Sequence, residues 1–157
     1  MIRTFASGMV MIAGMVSAPF GISPSQTPSP ASDYRNDPRL ETLKKFFRKL
    51  ECPAEKYSAS FLEAADKYKL DWRLLPSLSF VETTGGKSAR NNNFFGWDSG
   101  RAQFPSPIAG IHAVGYRLTH SDLYKNLKLD KLLAVYNPNA EYAQKVKSVM
   151  RRISPAK

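Results

Sequence analysis

A single cysteine, Cys52, stands in the 157-residue chain, so no internal disulfide is possible. Such a lone Cys in an exported chain reads as a small buried apolar residue, and Pro53 beside it marks a helix boundary. Histidine is nearly as scarce. His112 and His120 are eight residues apart, with no carboxylate or Cys at ligand spacing, so neither a metal centre nor a cofactor is expected. The N-terminal apolar run is short for a bilayer span, and no internal repeat is visible. Acidic residues are outnumbered: 13 Asp and Glu face 23 Lys and Arg, giving a net charge of +10. That balance predicts affinity for polyanions but does not choose among nucleic acid, anionic lipid and anionic wall polymer. The basic residues are spread along the chain and no nucleic-acid reader motif occurs, so no nucleic-acid partner is expected.

What is present fits one globular domain. Hydrophobic residues make up 43% and aromatics 11%, enough for a real core at this length. Residues 1–18 read as an export signal, with Arg3 as a minimal positive start, an apolar stretch over residues 5–16, and the small-residue end Val16-Ser17-Ala18. An uncleaved anchor is the alternative. Residues 19–38 follow as a Pro/Ser-rich linker without apolar period. The folded domain is expected over residues 39–157, and the protein as an exported, periplasmic or envelope-associated monomer.

Residues 40–50 have the pattern of an amphipathic helix. Leu40, Leu43, Phe46, Phe47 and Leu50 form its apolar stripe, and Lys44, Lys45, Arg48 and Lys49 its basic face. That face either is solvated behind a core-packing helix or rests weakly on a membrane surface. A second helix is expected over residues 57–68, with Tyr57, Phe61, Ala65 and Tyr68 inward.

Residues 71–86 hold the centre of the chain. Asp71 is an expected N-cap, Leu74, Leu75, Leu78 and Val81 form an apolar stripe with Trp72 and Phe80 beside it, and Gly85-Gly86 is the stop. Glu82 then falls in the last turn of an apolar helix. Both the helix dipole and burial disfavour an anion there, which raises the carboxyl pKa as a general acid near neutral pH requires. On position alone, an exposed Glu at a frayed end is an equal reading. In the stretch that follows, Phe95-Gly96-Trp97 and Arg101-Ala102-Gln103-Phe104 predict two short strands joined at Asp98-Ser99-Gly100. Farther on, Ser106 and Pro107 predict a helix start, with Ile108, Ile111, Gly115 and Leu118 on one face. Asp130 opens a short helix, and Asn139 caps a last one with Tyr142, Val146, Val149 and Ile153 inward.

Taken together, these segments resemble the glucosaminidase-type domain of peptidoglycan hydrolases, within the lysozyme-like superfamily. The resemblance rests on Glu82 after an apolar helix, the small residues 83–86, Asn92-Asn93-Phe94-Phe95-Gly96, and the closing segment from Tyr136 through Tyr142-Ala143 to Val146. Tyr136-Asn137 is also similar to the Tyr-Asn motif of lytic transglycosylases. The match covers roughly residues 57–153. It implies a mainly α, lysozyme-like helical domain with one small β-hairpin that cleaves β-1,4 bonds of peptidoglycan glycan strands. Glu82 would be the proton donor. Asp98, sixteen residues on, is either the second acid or an ordinary turn residue. If it is structural, the substrate's own acetamide or hydroxyl must replace the second acid, the hydroxyl giving a lytic transglycosylase. Asn93, Phe95, Trp97, Tyr136 and Asn137 offer the amides and aromatic faces that an amino-sugar polymer needs, with Tyr136 facing the site by resemblance. Core packing for Phe95 and turn formation for the asparagines are their plainer roles. The remaining alternative is a non-catalytic module that binds wall polymer.

Overall fold

The computed structural model describes residues 33–155. The expected export signal, and the linker as far as residue 32, lie outside these residues. The fold is mainly α. Its helices are α1 (Pro38–Lys49), α2 (Ser58–Lys67), α3 (Leu74–Thr83), α4 (Pro107–His120), α5 (Leu129–Tyr136) and α6 (Ala140–Ile153), with short 3₁₀ segments at Tyr34–Asn36 and Pro53–Tyr57.

Packing begins inside the stretch expected to be linker. Tyr34 is buried, and its hydroxyl donates to Asp66 at 2.9 Å. Asp37 caps α1 by accepting from the Arg39 N–H at 2.8 Å, with Pro38 at the first helical position. Leu43 and Phe47 are fully buried, while Lys45, Arg48 and Lys49 are exposed. Phe47 and Cys52 meet the far end of α3. A Cβ on Gly85 would lie 2.8 Å from the Cys52 Cβ, and the Ala54 N–H donates to the Gly85 carbonyl at 2.9 Å.

α3 is the inner helix, buried at Leu74, Leu75, Pro76, Ser77, Leu78 and Ser79. It starts two residues later than its capping signal suggested, with Arg73 and not Asp71 at the N-cap position. Asp71 instead accepts from the Arg73 N–H at 2.9 Å and pairs with that residue's guanidinium at 2.6 Å, which holds a turn ahead of the helix. At the other end the stop is Thr84, not a glycine, in the left-handed conformation at φ 54°; Gly85 follows at φ 61°. α6 lies antiparallel to α3. Tyr142 near its start meets Glu82, and Ser154 just beyond its end accepts from Arg73 at 2.8 Å. α4 crosses α2 closely, because a Cβ on Gly115 would lie 2.7 Å from the Tyr68 ring.

The expected β-hairpin is absent. Among the described residues the only β-type pairing is the isolated bridge between Arg90 and Asn93. Gly96, Asp98, Ser99 and Gly100 all have φ between +53° and +81°, which coils the backbone into successive turns. Its polar groups are then satisfied within the loop: Gly100 N–H donates to the Gly96 carbonyl at 2.9 Å and Ala102 N–H to the Trp97 carbonyl at 3.3 Å. No described helix is long and apolar enough to cross a membrane.

Candidate active site

Glu82 emerges from the last turn of α3 into a cleft of about 390 Å³, lined also by Thr83, Ser88, Arg90, Asn93, Gly96, Ser99 and Gly100. It is the only carboxylate on this lining. Three features hold it. The Tyr142 hydroxyl, delivered by α6, donates to Glu82 Oε1 at 2.7 Å. Gly96 closes over the other oxygen: a Cβ there would stand 2.8 Å from Glu82 Oε2, and the backbone is left-handed at φ 58°. Next in sequence, the Thr83 hydroxyl donates to the Phe94 carbonyl at 2.8 Å and accepts from the Gly86 N–H at 3.0 Å, pinning the helix end to the loop.

Burial pushes the Glu82 carboxyl above its ordinary range, and the Tyr142 hydrogen bond works in the opposite direction. Burial also raises the Tyr142 phenol far above the ordinary tyrosine range, helped by Tyr136 and Glu82 beside it. Tyr142 therefore stays a neutral donor, and Glu82 is the group that changes charge.

The loop wall owes its shape to asparagines. Asn93, almost fully buried, spans Trp97 with both ends of its amide: Nδ2 donates to the Trp97 carbonyl and Oδ1 accepts from the Trp97 N–H, each at 2.9 Å. That two-point clamp occupies both backbone groups of Trp97, which are therefore not free for a strand partner. Asn92 Nδ2 donates to the Phe104 carbonyl at 2.8 Å, fastening the loop's far end. Asn91 and Asn92 are both left-handed, a conformation that asparagine tolerates well.

The residues expected at the site separate into two groups. Glu82 and Asn93 line the cleft, Asn93 through a framework role. Trp97 is not on this lining; it is half-buried, edge-on to Tyr136 at 5.7 Å between ring centroids. Phe95 is core, 1% exposed. Asp98 is an exposed turn residue paired with Arg101 at 2.8 Å and does not line the cleft, although Ser99 and Gly100 beside it do. Asn137 accepts from the Asn139 N–H at 3.0 Å and serves the turn between α5 and α6.

Tyr136 requires a correction. Expected at a loop edge, facing the site, it is 3% exposed and donates its hydroxyl to the Phe95 carbonyl at 3.0 Å. The carbonyl lies inside the loop wall, so burial of the phenol there fixes the loop and leaves no free hydroxyl. Tyr136 stacks on Tyr142 with ring planes 9° apart and centroids 5.9 Å apart. Tyr142, expected on the inward stripe of the last helix and part of the closing segment but given no site role, is the tyrosine that touches the carboxylate. Its signal was the Tyr-Ala pair in the closing segment. Gly96 and Thr83 lay within the quoted motifs, but nothing local showed that one leaves room for the carboxylate and the other anchors it.

Among the described residues no group of three His, Cys, Asp or Glu side chains is placed to hold a metal ion. Protein-family models give no match to this chain, and neither do curated proteins. What the geometry itself defines is a mainly α domain with one half-buried, hydrogen-bonded carboxylate on the lining of a polar cleft.

Proposed function

We propose that the protein is an exported peptidoglycan-cleaving enzyme of the lysozyme-like, glucosaminidase type, with Glu82 as the general acid on a β-1,4 glycosidic bond. The observation that carries this reading is the setting of Glu82: a carboxyl whose pKa burial raises, on the lining of an open cleft and hydrogen-bonded by Tyr142. A proton donor of raised pKa is what departure of a glycosidic oxygen requires. Donation would leave Glu82 as a carboxylate, and the Tyr142 hydroxyl would then stabilise that anion.

Positive charge developing at the anomeric carbon needs a second group. The cleft offers no second carboxylate, and Asp98 is engaged by Arg101. This favours a substrate-assisted reaction, in which the neighbouring acetamide or a sugar hydroxyl attacks that carbon. Water then opens the acetamide-derived intermediate, giving hydrolysis. Attack by the hydroxyl, its proton passing to the Glu82 carboxylate left by donation, instead yields an anhydro end without water, the lytic transglycosylase outcome. The net positive charge of the chain suits an anionic wall polymer.

The test is digestion of purified peptidoglycan by the full chain and by Glu82→Gln, with mass spectrometry of the released ends. Cleavage by the wild type and none by the folded variant is expected. Reducing ends mean hydrolysis, while products lighter by one water mean transglycosylation. Binding of the polymer by both proteins with cleavage by neither would make this a wall-binding module.

A further inference from the structure

A second cavity, of about 530 Å³, lies between the loop and α4. The loop supplies Trp97 and Phe104, and α4 supplies Ala109, Ala113 and Val114, so the walls are mostly methyl groups and aromatic faces. Alanines at positions four apart put small residues on one face of the helix, and that is what leaves the volume open. Two polar groups interrupt this apolar lining. The Arg117 guanidinium lies over the Trp97 ring, 5.4 Å from its centroid, and no ion pair among the described residues involves it. Gln103 is exposed on the same lining, with an amide that can both donate and accept.

We propose that this cavity is a binding site for the C-terminal end of a short peptide with small apolar side chains, its carboxylate paired with Arg117. The argument is complementarity. An exposed guanidinium outside any described ion pair, over an aromatic ring, is a fork for a carboxylate. Walls of Ala, Val, Phe and Trp accept small aliphatic side chains by burial. The Gln103 amide matches a peptide group, which must keep hydrogen-bond partners when it leaves water. A plain aliphatic acid would satisfy the walls and Arg117 but would leave the Gln103 amide unused. The site stands apart from glycan cleavage and does not require Glu82 to be catalytic. The two linings have no residue in common, although Trp97 directly follows Gly96, which packs on Glu82 in the cleft.

Trp97 is its own reporter. In a Trp72→Phe background its fluorescence is read alone during titration with N-acetyl-alanyl-alanine of each hand, with the corresponding C-terminal amide, and with octanoate. A saturable response to either peptide acid is expected, with the amide at least about fivefold weaker, as a partly exposed charge-assisted pair would give. Arg117→Gln should bring the acid down to the amide's affinity and leave the amide unchanged. Ala113→Phe, which fills the cavity, should abolish both responses while circular dichroism stays native. Glu82→Gln should bind like the parent, which separates this site from the reading of the cleft. Equal affinity for acid and amide, an Arg117→Gln protein that still discriminates, or tighter binding of octanoate than of peptide would each overturn the proposal. So would the absence of a saturable response up to about 10 mM, well beyond the roughly millimolar affinity expected of so small a ligand.

Discussion

The Tyr142 hydroxyl donates to Glu82 Oε1 at 2.7 Å across the antiparallel contact of α6 with α3. Two residues sixty positions apart thus set one ionisation, and they act on it with opposite sign to burial. Tyr142→Phe removes the interaction that lowers the Glu82 pKa and leaves the burial that raises it. The pKa of Glu82 in the variant should therefore lie above that of the wild type. If Glu82 is the acid, the alkaline limb of the pH profile of glycan cleavage should move to higher pH in Tyr142→Phe. A ¹³C-carboxyl titration of Glu82 reads the same shift without substrate, and identical titrations in the two proteins would remove Tyr142 from the site.

Stability should depend on Glu82 in a direction opposite to that of most carboxylates. A group whose folded pKa is raised contributes stability that is complete below its unfolded pKa, about 4.3 for Glu, and lost as pH rises through the folded value. Asp37, Asp66 and Asp71 behave the other way. Arginine partners hold each below the usual range, so their contribution is present above the unfolded pKa and lost as pH falls. Those acids are common to wild type and Glu82→Gln, so they cancel in the difference. The melting temperature of Glu82→Gln minus that of the wild type should accordingly rise between about pH 4 and pH 8. A difference that is flat, or falls, over that range would mean that Glu82 ionises without penalty.

Tyr136 should behave as a structural residue. Its hydroxyl is buried against the Phe95 carbonyl, so Tyr136→Phe leaves a buried acceptor unpaired at a cost of about 1–3 kcal/mol. In a domain of this size that corresponds to a melting-temperature loss of at least about 3 °C. Cleavage per folded molecule should fall less in Tyr136→Phe than in Glu82→Gln. Thermal denaturation beside turnover, both corrected for folded fraction, distinguishes the two roles. An unchanged melting temperature with lost turnover would put the phenol back at the reacting centre.

The legible parts of this fold are those decided by neighbouring residues. Ser106 caps α4 by accepting from the Ala109 N–H at 3.1 Å, and Asn139 caps α6 by accepting from the Glu141 N–H at 2.9 Å; both were readable because a cap reaches only two or three residues. The apolar run of α3 and the place of Glu82 in its last turn follow from the same short-range pattern. The loop was not legible. Alternating aromatics over residues 95–104 predict strands, yet one buried asparagine side chain takes both backbone groups of Trp97, and non-glycine residues occupy left-handed turns. Nor did local pattern show which tyrosine meets the acid: Tyr136, before Asn137-Pro138, was expected at a loop edge facing the site, and Tyr142 on the inward stripe of the last helix. Which phenol reaches Glu82 is settled by the packing of α6 on α3, a contact between segments far apart in sequence.

Gly96 and Gly100 give the sharpest test of the cleft, because both are left-handed and only one is crowded. At Gly100 (φ 81°) a Cβ would meet nothing within 4 Å, so Gly100→Ala carries backbone strain alone, about 1 kcal/mol. At Gly96 (φ 58°) the same methyl would stand 2.8 Å from Glu82 Oε2. Relief there requires the carboxylate to swing away, and that swing breaks the Tyr142 hydrogen bond or opens the loop. Gly96→Ala should therefore lose more stability than Gly100→Ala by at least about 1 kcal/mol, the worth of one such hydrogen bond. Glu82 also loses its position for proton transfer, so glycan cleavage should fall by roughly 10²-fold or more in Gly96→Ala, as misplacement of a general acid predicts. Gly100→Ala should stay within about threefold of wild type, since its strain is spent in the loop and not on the acid. Chemical denaturation and turnover measured on both variants decide the matter, and equal effects of the two substitutions would show that the carboxylate does not need the space that Gly96 leaves.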